Sequence, residues 1–181
     1  MSRYRKLVGN ISKWIAGFVC AALVSHFAFV LIYPYAMIAL LEMHLSHKVG
    51  TNQLVHARRP NSDSRDVIRP SPDLFYSIGC FDLRSGPLEL TAAVPHSYMS
   101  LSLYAGNGDN FFVINDQQVT NGVLRVVVRR DHGKPAPADA LEVQAPCRRG
   151  IMLFRYFAGD TQQQAEIDLL RRQTQCRVAA D

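Results

Sequence analysis

Apolar residues run almost unbroken from Trp14 to Leu41, and beyond Pro72 they recur as short alternating bursts, so the chain changes period from helix to strand. The stretch Trp14 to Tyr33 supplies about the 20 residues needed to cross a hydrocarbon core, with an aromatic at each end where headgroups would lie. Pro34 predicts a kink or the start of a second helical stretch, and Tyr35 to Val49 continues as a juxtamembrane helix stopped at Gly50. Asn52 to Pro72 is polar and broken by Pro60, Pro70 and Pro72, the pattern of an extended connector. The runs Leu74–Asp82, Leu88–Val94, Tyr98–Tyr104, Phe111–Ile114, Val123–Arg129 and Ile151–Phe157 then predict strands, with Ile151–Phe157 closing the series. In Tyr98–Tyr104 the alternation is strict: Met99, Leu101 and Leu103 face a core, and Tyr98, Ser100, Ser102 and Tyr104 form a polar or covered face. Thr161-x-x-Gln164 is a capping-box pattern, and Ile167, Leu169 and Leu170 give the helix that follows a short apolar face.

Charge sharpens the division. Of the net charge of +5, Arg3, Arg5, Lys6 and Lys13 contribute four units ahead of the apolar run. Without them, 16 Lys and Arg stand against 15 Asp and Glu, too near balance for a surface that tracks phosphates, so no nucleic-acid partner is expected. The same four residues outnumber Lys48, Arg58 and Arg59 beyond the run and place the N-terminus in the cytoplasm. A cleaved signal peptide is the competing reading, but the stretch is long for one and Pro34-Tyr35-Ala36 puts proline at the candidate cleavage site. The expected organisation is a cytoplasmic basic arm at 1–13, a transmembrane and juxtamembrane helix at 14–49, and a β-rich extracytoplasmic domain at 50–181.

Candidate chemistry is sparse. Cys80, Cys147 and Cys176 are an odd set; a Cys147–Cys176 disulfide is permitted in an oxidising compartment, and three unpaired thiols is the plainer expectation. His44 and His47 share a helix face without a third ligand, and His56, His96 and His132 are scattered, so no metal and no cofactor are expected. Ser25 and His26 are polar groups inside the apolar run, where such groups face protein or a cavity. No nucleophile elbow, phosphate loop or dinucleotide fingerprint occurs, and no catalytic residue is assigned. The densest polar cluster is Arg58, Arg59, Asp63, Arg65, Asp66 and Arg69, leading into Ser71-Pro72-Asp73-Leu74-Phe75-Tyr76. Within it Arg69, Asp73 and Tyr76 are the candidate polar site, because an arginine fork beside a carboxylate can hold a carboxylate or phosphate. The alternative is structural: Asp73 caps a turn, Arg69 pairs with it and Tyr76 packs.

Gly50-Thr51-Asn52, Ser71-Pro72-Asp73-Leu74-Phe75-Tyr76-Ser77, Asp82-Leu83-Arg84-Ser85-Gly86-Pro87 and Asn107-Gly108-Asp109-Asn110-Phe111-Phe112 together resemble bacterial proteins carrying domain of unknown function 1254, in a small single-span membrane form. The likeness continues more loosely through Arg148-Arg149-Gly150 and the closing helix. With the strand pattern, it implies a mainly β domain, an antiparallel β-sandwich or jelly-roll-like fold, between an N-terminal transmembrane helix and a short C-terminal helix. The family carries no established activity. The resemblance also implies a companion of the domain-of-unknown-function 1214 type, a second small membrane protein. The expected role is thus a binding or assembly module of the bacterial envelope, inner-membrane and single-pass with a periplasmic domain, whose strand edges and Tyr98–Tyr104 face offer the surface. The competing expectation is an enzyme of unrecognised class acting on a carboxylate- or phosphate-bearing compound through Arg69, Asp73 and Tyr76.

Overall fold

The first helix, α1, is continuous over Ser2–Val49 and carries Pro34 within it. The structure, a computed structural model, describes residues 2–60, 70–131, 135–159 and 161–179. It divides into two compact units, 1–37 and 38–181. The first is helix alone. Its large apolar side chains point outward, Trp14 being 81% exposed, and a stretch within Lys13–Val49 reaches a mean hydropathy of 2.4, long and apolar enough to cross a membrane. So much continuous apolar surface is stable only under lipid or protein. Inside it Ser25 satisfies its hydroxyl locally, donating to the Ala22 carbonyl at 3.0 Å, while the His26 ring meets Phe27 edge-on.

The second unit begins with the last twelve residues of α1. His47 and Lys48 lie in the last turn, favourable against the helix dipole, and Gly50 closes it at φ +88°, its N–H donating to the Ser46 carbonyl at 2.9 Å. Among the described residues nine strands follow: β1 (Val55–His56), β2 (Leu74–Asp82), β3 (Leu88–Ala93), β4 (Met99–Ala105), β5 (Asn110–Asn115), β6 (Val123–Arg129), β7 (Leu141–Gln144), β8 (Arg149–Phe157) and, after α2 (Thr161–Arg172), β9 (Gln175–Val178). They form a five-stranded sheet in the order β1-β2-β8-β4-β5 and a four-stranded sheet in the order β7-β6-β3-β9, antiparallel throughout except for the parallel pair β6–β7. This is the expected mainly β sandwich, preceded by the long α1 and carrying a short helix, α2, near its C-terminus.

Alternation decides which side chains meet between the sheets. Leu88 and Leu90 of β3 and Leu124, Val126 and Val128 of β6 pack against Met99, Leu101 and Leu103 of β4 and Met152, Phe154 and Tyr156 of β8. Each such large apolar side chain contributes about 1.5–3 kcal/mol on burial. Tyr156 keeps its polar tip bonded, 2.8 Å from the Thr174 hydroxyl, and burial pushes its pKa up to about 12.

The outer face of the five-stranded sheet is covered as well. Ile38, Leu41 and Leu45, repeating at helical spacing along the end of α1, pack on Val55, Ile78, Cys80, Tyr104 and Ile151. The end of α1 is therefore part of the domain's second, smaller core.

Four sequence expectations need correction. Within the expected connector, Val55–His56 is a strand paired with β2, because it lies against the free edge of that strand. Ile151–Phe157 does not close the strand series, because β9 returns after α2 to pair with β3. Leu141–Gln144 is a strand that was not expected. Leu169 does not join the apolar face of α2: Ile167 is buried and Leu170 packs on the core, three positions apart, while Leu169 lies about 200° around the helix from Ile167 and is 66% exposed. All four cysteines are free. The Cys147 thiol donates to the Arg149 carbonyl at 2.8 Å, and Cys176 lies against Met152, where burial pushes its thiol up to about 12.

Candidate functional site

Of the three residues singled out from the sequence, Arg69 lies outside the described residues, as do Asp63, Arg65, Asp66 and His132. Asp73 stands exposed in the turn before β2, its N–H donating to the Ser71 hydroxyl at 3.4 Å and its carbonyl accepting from the Ala158 N–H at 2.9 Å. Tyr76 is buried in β2, and its hydroxyl accepts the Ser71 N–H at 3.0 Å. No hydrogen bond joins the Asp73 carboxylate to the Tyr76 hydroxyl among the described residues. Arg59, from the same polar segment, ties the connector down by donating to the Pro72 carbonyl at 3.0 Å and to Gln164 on α2 at 2.8 Å.

The polar groups that do converge lie at the other end of β2. Asp82 is its last residue and faces Arg149, the first residue of β8, in register. The Asp82 carboxylate accepts from the backbone N–H of Arg84 at 3.0 Å, from Arg84 Nε at 2.9 Å and from Arg149 Nε at 2.9 Å. Asn52, in the left-handed conformation that asparagine tolerates, clamps the same residue through its backbone: Oδ1 accepts the Asp82 N–H at 2.7 Å and Nδ2 donates to the Asp82 carbonyl at 3.0 Å. The Asn52 N–H in turn donates to the Cys80 carbonyl at 2.9 Å. Thus the chain leaving α1 is stitched to the end of β2.

A cleft of ≈ 310 Å³ opens here between the end of α1 and the sheet, lined by Glu42 and Ser46 on one side and Cys80, Asp82 and Arg149 on the other. One carboxylate oxygen of Glu42, Oε1, is buried there without a hydrogen-bond partner. The Cys80 thiol sits 3.8 Å from the Glu42 carbonyl, and its pKa is raised by burial first and then by the Glu42 carboxylate, so it stays protonated at neutral pH. Two arginines shared on one aspartate, beside a carboxylate with a free acceptor, suit recognition of a polar group. The thiol faces a carbonyl instead of a base, so the cleft lacks an activated cysteine nucleophile. Among the described residues no group of three or more His, Cys, Asp or Glu is placed to hold a metal ion.

Electrostatics at Asp82 gives a pH signature. Hydrogen bonds from Arg84 are the main cause that holds its carboxyl down at about 2, against an ordinary value near 4. Because the folded-state value is the depressed one, the stabilisation is fully present above about pH 4 and is lost as pH falls toward 2. Asp82→Asn is expected to lower stability by about 2 kcal/mol at neutral pH and to remove that acid step. Urea unfolding of the full chain in mild detergent at pH 7 and pH 3 measures both effects; equal losses at the two pH values would contradict the assignment.

These residues lie within the stretches that carried the sequence resemblance: Thr51-Asn52, Asp82-Leu83-Arg84 and Arg148-Arg149-Gly150. Local pattern marked each stretch; that Asp82 and Arg149, 67 positions apart, share one ion pair follows only from strand register.

Residues 51–178 match the family model described as protein of unknown function (DUF1254), more than two thirds of the 181 residues. No curated protein matches the chain. Among solved structures, the VPA0106 protein from Vibrio parahaemolyticus is similar at a TM-score of 0.65 and 14% identity, over 83% of this chain and 36% of that one. An uncharacterised protein from Burkholderia cenocepacia is similar at a TM-score of 0.50 and 16% identity, over 73% of this chain and 35% of that one. These likenesses show a shared fold, and the chain spans about a third of the length of each solved protein.

Proposed function

Because this chain belongs to the DUF1254 family, described as protein of unknown function, we propose that it is a membrane-anchored assembly module that acts with a companion protein of the domain-of-unknown-function 1214 type. The observation that carries this proposal is the open edge of β5. Among the described residues this strand pairs with β4 on one side only, its sequence Asn110-Phe111-Phe112-Val113-Ile114-Asn115 holds neither charge nor proline, and Val113 is 55% exposed. Edge strands of free-standing domains are normally blunted by lysine, proline or a bulge; β5 carries one register irregularity at Phe111, and its regular, uncharged stretch from Phe112 to Asn115 suits strand addition by a partner. The similarity to solved chains of much greater length supports the same idea, since there the fold is one part of a longer polypeptide. In this reading α1 anchors the chain in the bacterial inner membrane, single-pass, with Arg3, Arg5, Lys6 and Lys13 in the cytoplasm and the β domain in the periplasm.

The test is purification of the tagged full-length chain from its native host in mild detergent, with mass spectrometry of what accompanies it, alongside Val113→Lys. Val113 is exposed, so the variant keeps its stability to within about 0.5 kcal/mol. Recovery of a second small membrane protein in near-equal amount, lost with Val113→Lys, is the expected result. Recovery of the chain alone overturns the assembly function, and recovery with both variants moves the interface away from β5.

A further inference from the structure

Across the outer face of the five-stranded sheet, one transverse row places Tyr76 of β2, Arg155 of β8 and Ser100 of β4 side by side in register. Arg155 is part-buried. Its Nη2 donates to the Ser102 hydroxyl at 2.9 Å and to the Tyr104 hydroxyl at 3.4 Å, and its Nε is buried without a partner. No Asp or Glu pairs with it among the described residues. Beside it the Ser100 hydroxyl, on a residue only 2% exposed, also lacks a partner.

Two other buried charges of this domain are compensated by opposite charge. Arg171 is paired with Asp168, and Asp82 holds both Arg84 and Arg149. A part-buried guanidinium that rests on two neutral hydroxyls, with its Nε buried and orphaned, carries a desolvation cost that nothing in the row offsets. The missing component is an anion. Its charge is single, because one arginine is all the positive charge the row offers. Its shape is planar and forked, because that is what a guanidinium edge matches, and the Ser100 hydroxyl stands ready to donate to it.

We propose that Arg155 is the anchor of a carboxylate-binding site on this face, with Ser100 as a second donor and with Ser102 and Tyr104 fixing the guanidinium. Tyr104 also packs in the cluster formed with the end of α1, so the site borders the segment that joins anchor to domain. The carboxylate comes either from a small molecule or from an acidic side chain of the companion. The site does not depend on the companion's existence.

The full-length chain, 15N-labelled in detergent micelles, is titrated with sodium acetate at constant ionic strength while the Arg155 Nε–Hε resonance is followed; Arg155→Lys, which keeps the charge, identifies the signal by its loss. The expected result is a saturable shift that weakens by about threefold in Ser100→Ala, the size of one lost hydrogen bond. A purely structural serine would leave the titration unchanged. In a second arm, Arg155→Lys is compared with wild type in the native co-purification, where loss of the bidentate fork lowers companion recovery by about tenfold if the carboxylate belongs to the companion. Acetate binding with unchanged recovery assigns a small-molecule ligand; reduced recovery without acetate binding assigns the companion's side chain. No saturable shift together with unchanged recovery, or saturation by inorganic phosphate but not acetate, overturns the proposal. If wild type brings down no companion, the assembly reading fails while the acetate titration still decides the site.

Discussion

Arg171→Ala is expected to cost about 3–5 kcal/mol, the range for stranding the partners of a buried charge. Arg171 is 1% exposed, yet it is an arginine, and its guanidinium holds three pieces of chain together. Nε donates to Asp168 at 2.6 Å within α2, Nη1 to the Tyr76 carbonyl of β2 at 2.9 Å, and Nη2 to the Ala57 carbonyl just past β1 at 2.9 Å, while the guanidinium carbon lies 4.6 Å from the centre of the Phe75 ring. Alanine removes the donors to two backbone carbonyls, leaves Asp168 to Arg172 alone, and opens a cavity the length of the side chain. Lysine keeps the charge but not the fork, so Arg171→Lys falls between wild type and alanine. A domain of this size commonly has about 5–15 kcal/mol in all, so the alanine variant stands near the limit of folding. Urea unfolding of the full chain in detergent measures the difference, and a loss below about 1 kcal/mol would show that the three bonds are replaced by water.

Gly150→Ala is expected to be comparably damaging for a steric reason. Gly150 lies in β8 between Phe81 of β2 and Ala105 of β4. A Cβ there would stand 2.1 Å from the Tyr104 carbonyl oxygen and 2.7 Å from the Phe81 ring. The ring is fully buried and the carbonyl is main chain, so neither can swing away. The strand must shift, and the Asp82–Arg149 pair one residue away shifts with it. A cost of about 3 kcal/mol, the upper range for overpacking, follows. The expected signature is double: a lower urea midpoint and loss of the acid step assigned to Asp82. A variant that unfolds at the wild-type midpoint would mean that the backbone yields without strain.

The strands legible in the sequence are those buried on at least one face. Leu74–Asp82 and Val123–Arg129 match their runs to the residue, because most of their consecutive side chains are buried and the runs read as apolar throughout. The strands Leu141–Gln144 and Gln175–Val178 were not legible for the opposite reason: both are edges, most of their side chains reach solvent, and an edge is chosen by its neighbour's free backbone groups more than by its own pattern. The polar face of Tyr98–Tyr104 was legible as a face, yet its serines proved to be buried beside larger side chains of β8. Nothing in Ser100 or Ser102 announces Arg155, more than fifty positions away, because the pairing belongs to register. The candidate polar site rests on Arg69, which lies outside the described residues. Density of charge pointed to the connector before β2, whereas convergence needed the far end of that strand, where single charged residues from distant segments meet.

The way α1 is divided determines how the domain can be separated from its anchor. The polar stretch after Gly50 looks like the natural linker, but Ile38, Leu41 and Leu45 lie ahead of it and roof Cys80, Tyr104 and Ile151. A cut at Gly50 would strip that roof and leave an apolar floor beside the Asp82 cleft. The true seam is inside helical residues, ahead of Ile38. A release mechanism that spares the fold therefore has to open a helix ahead of Ile38.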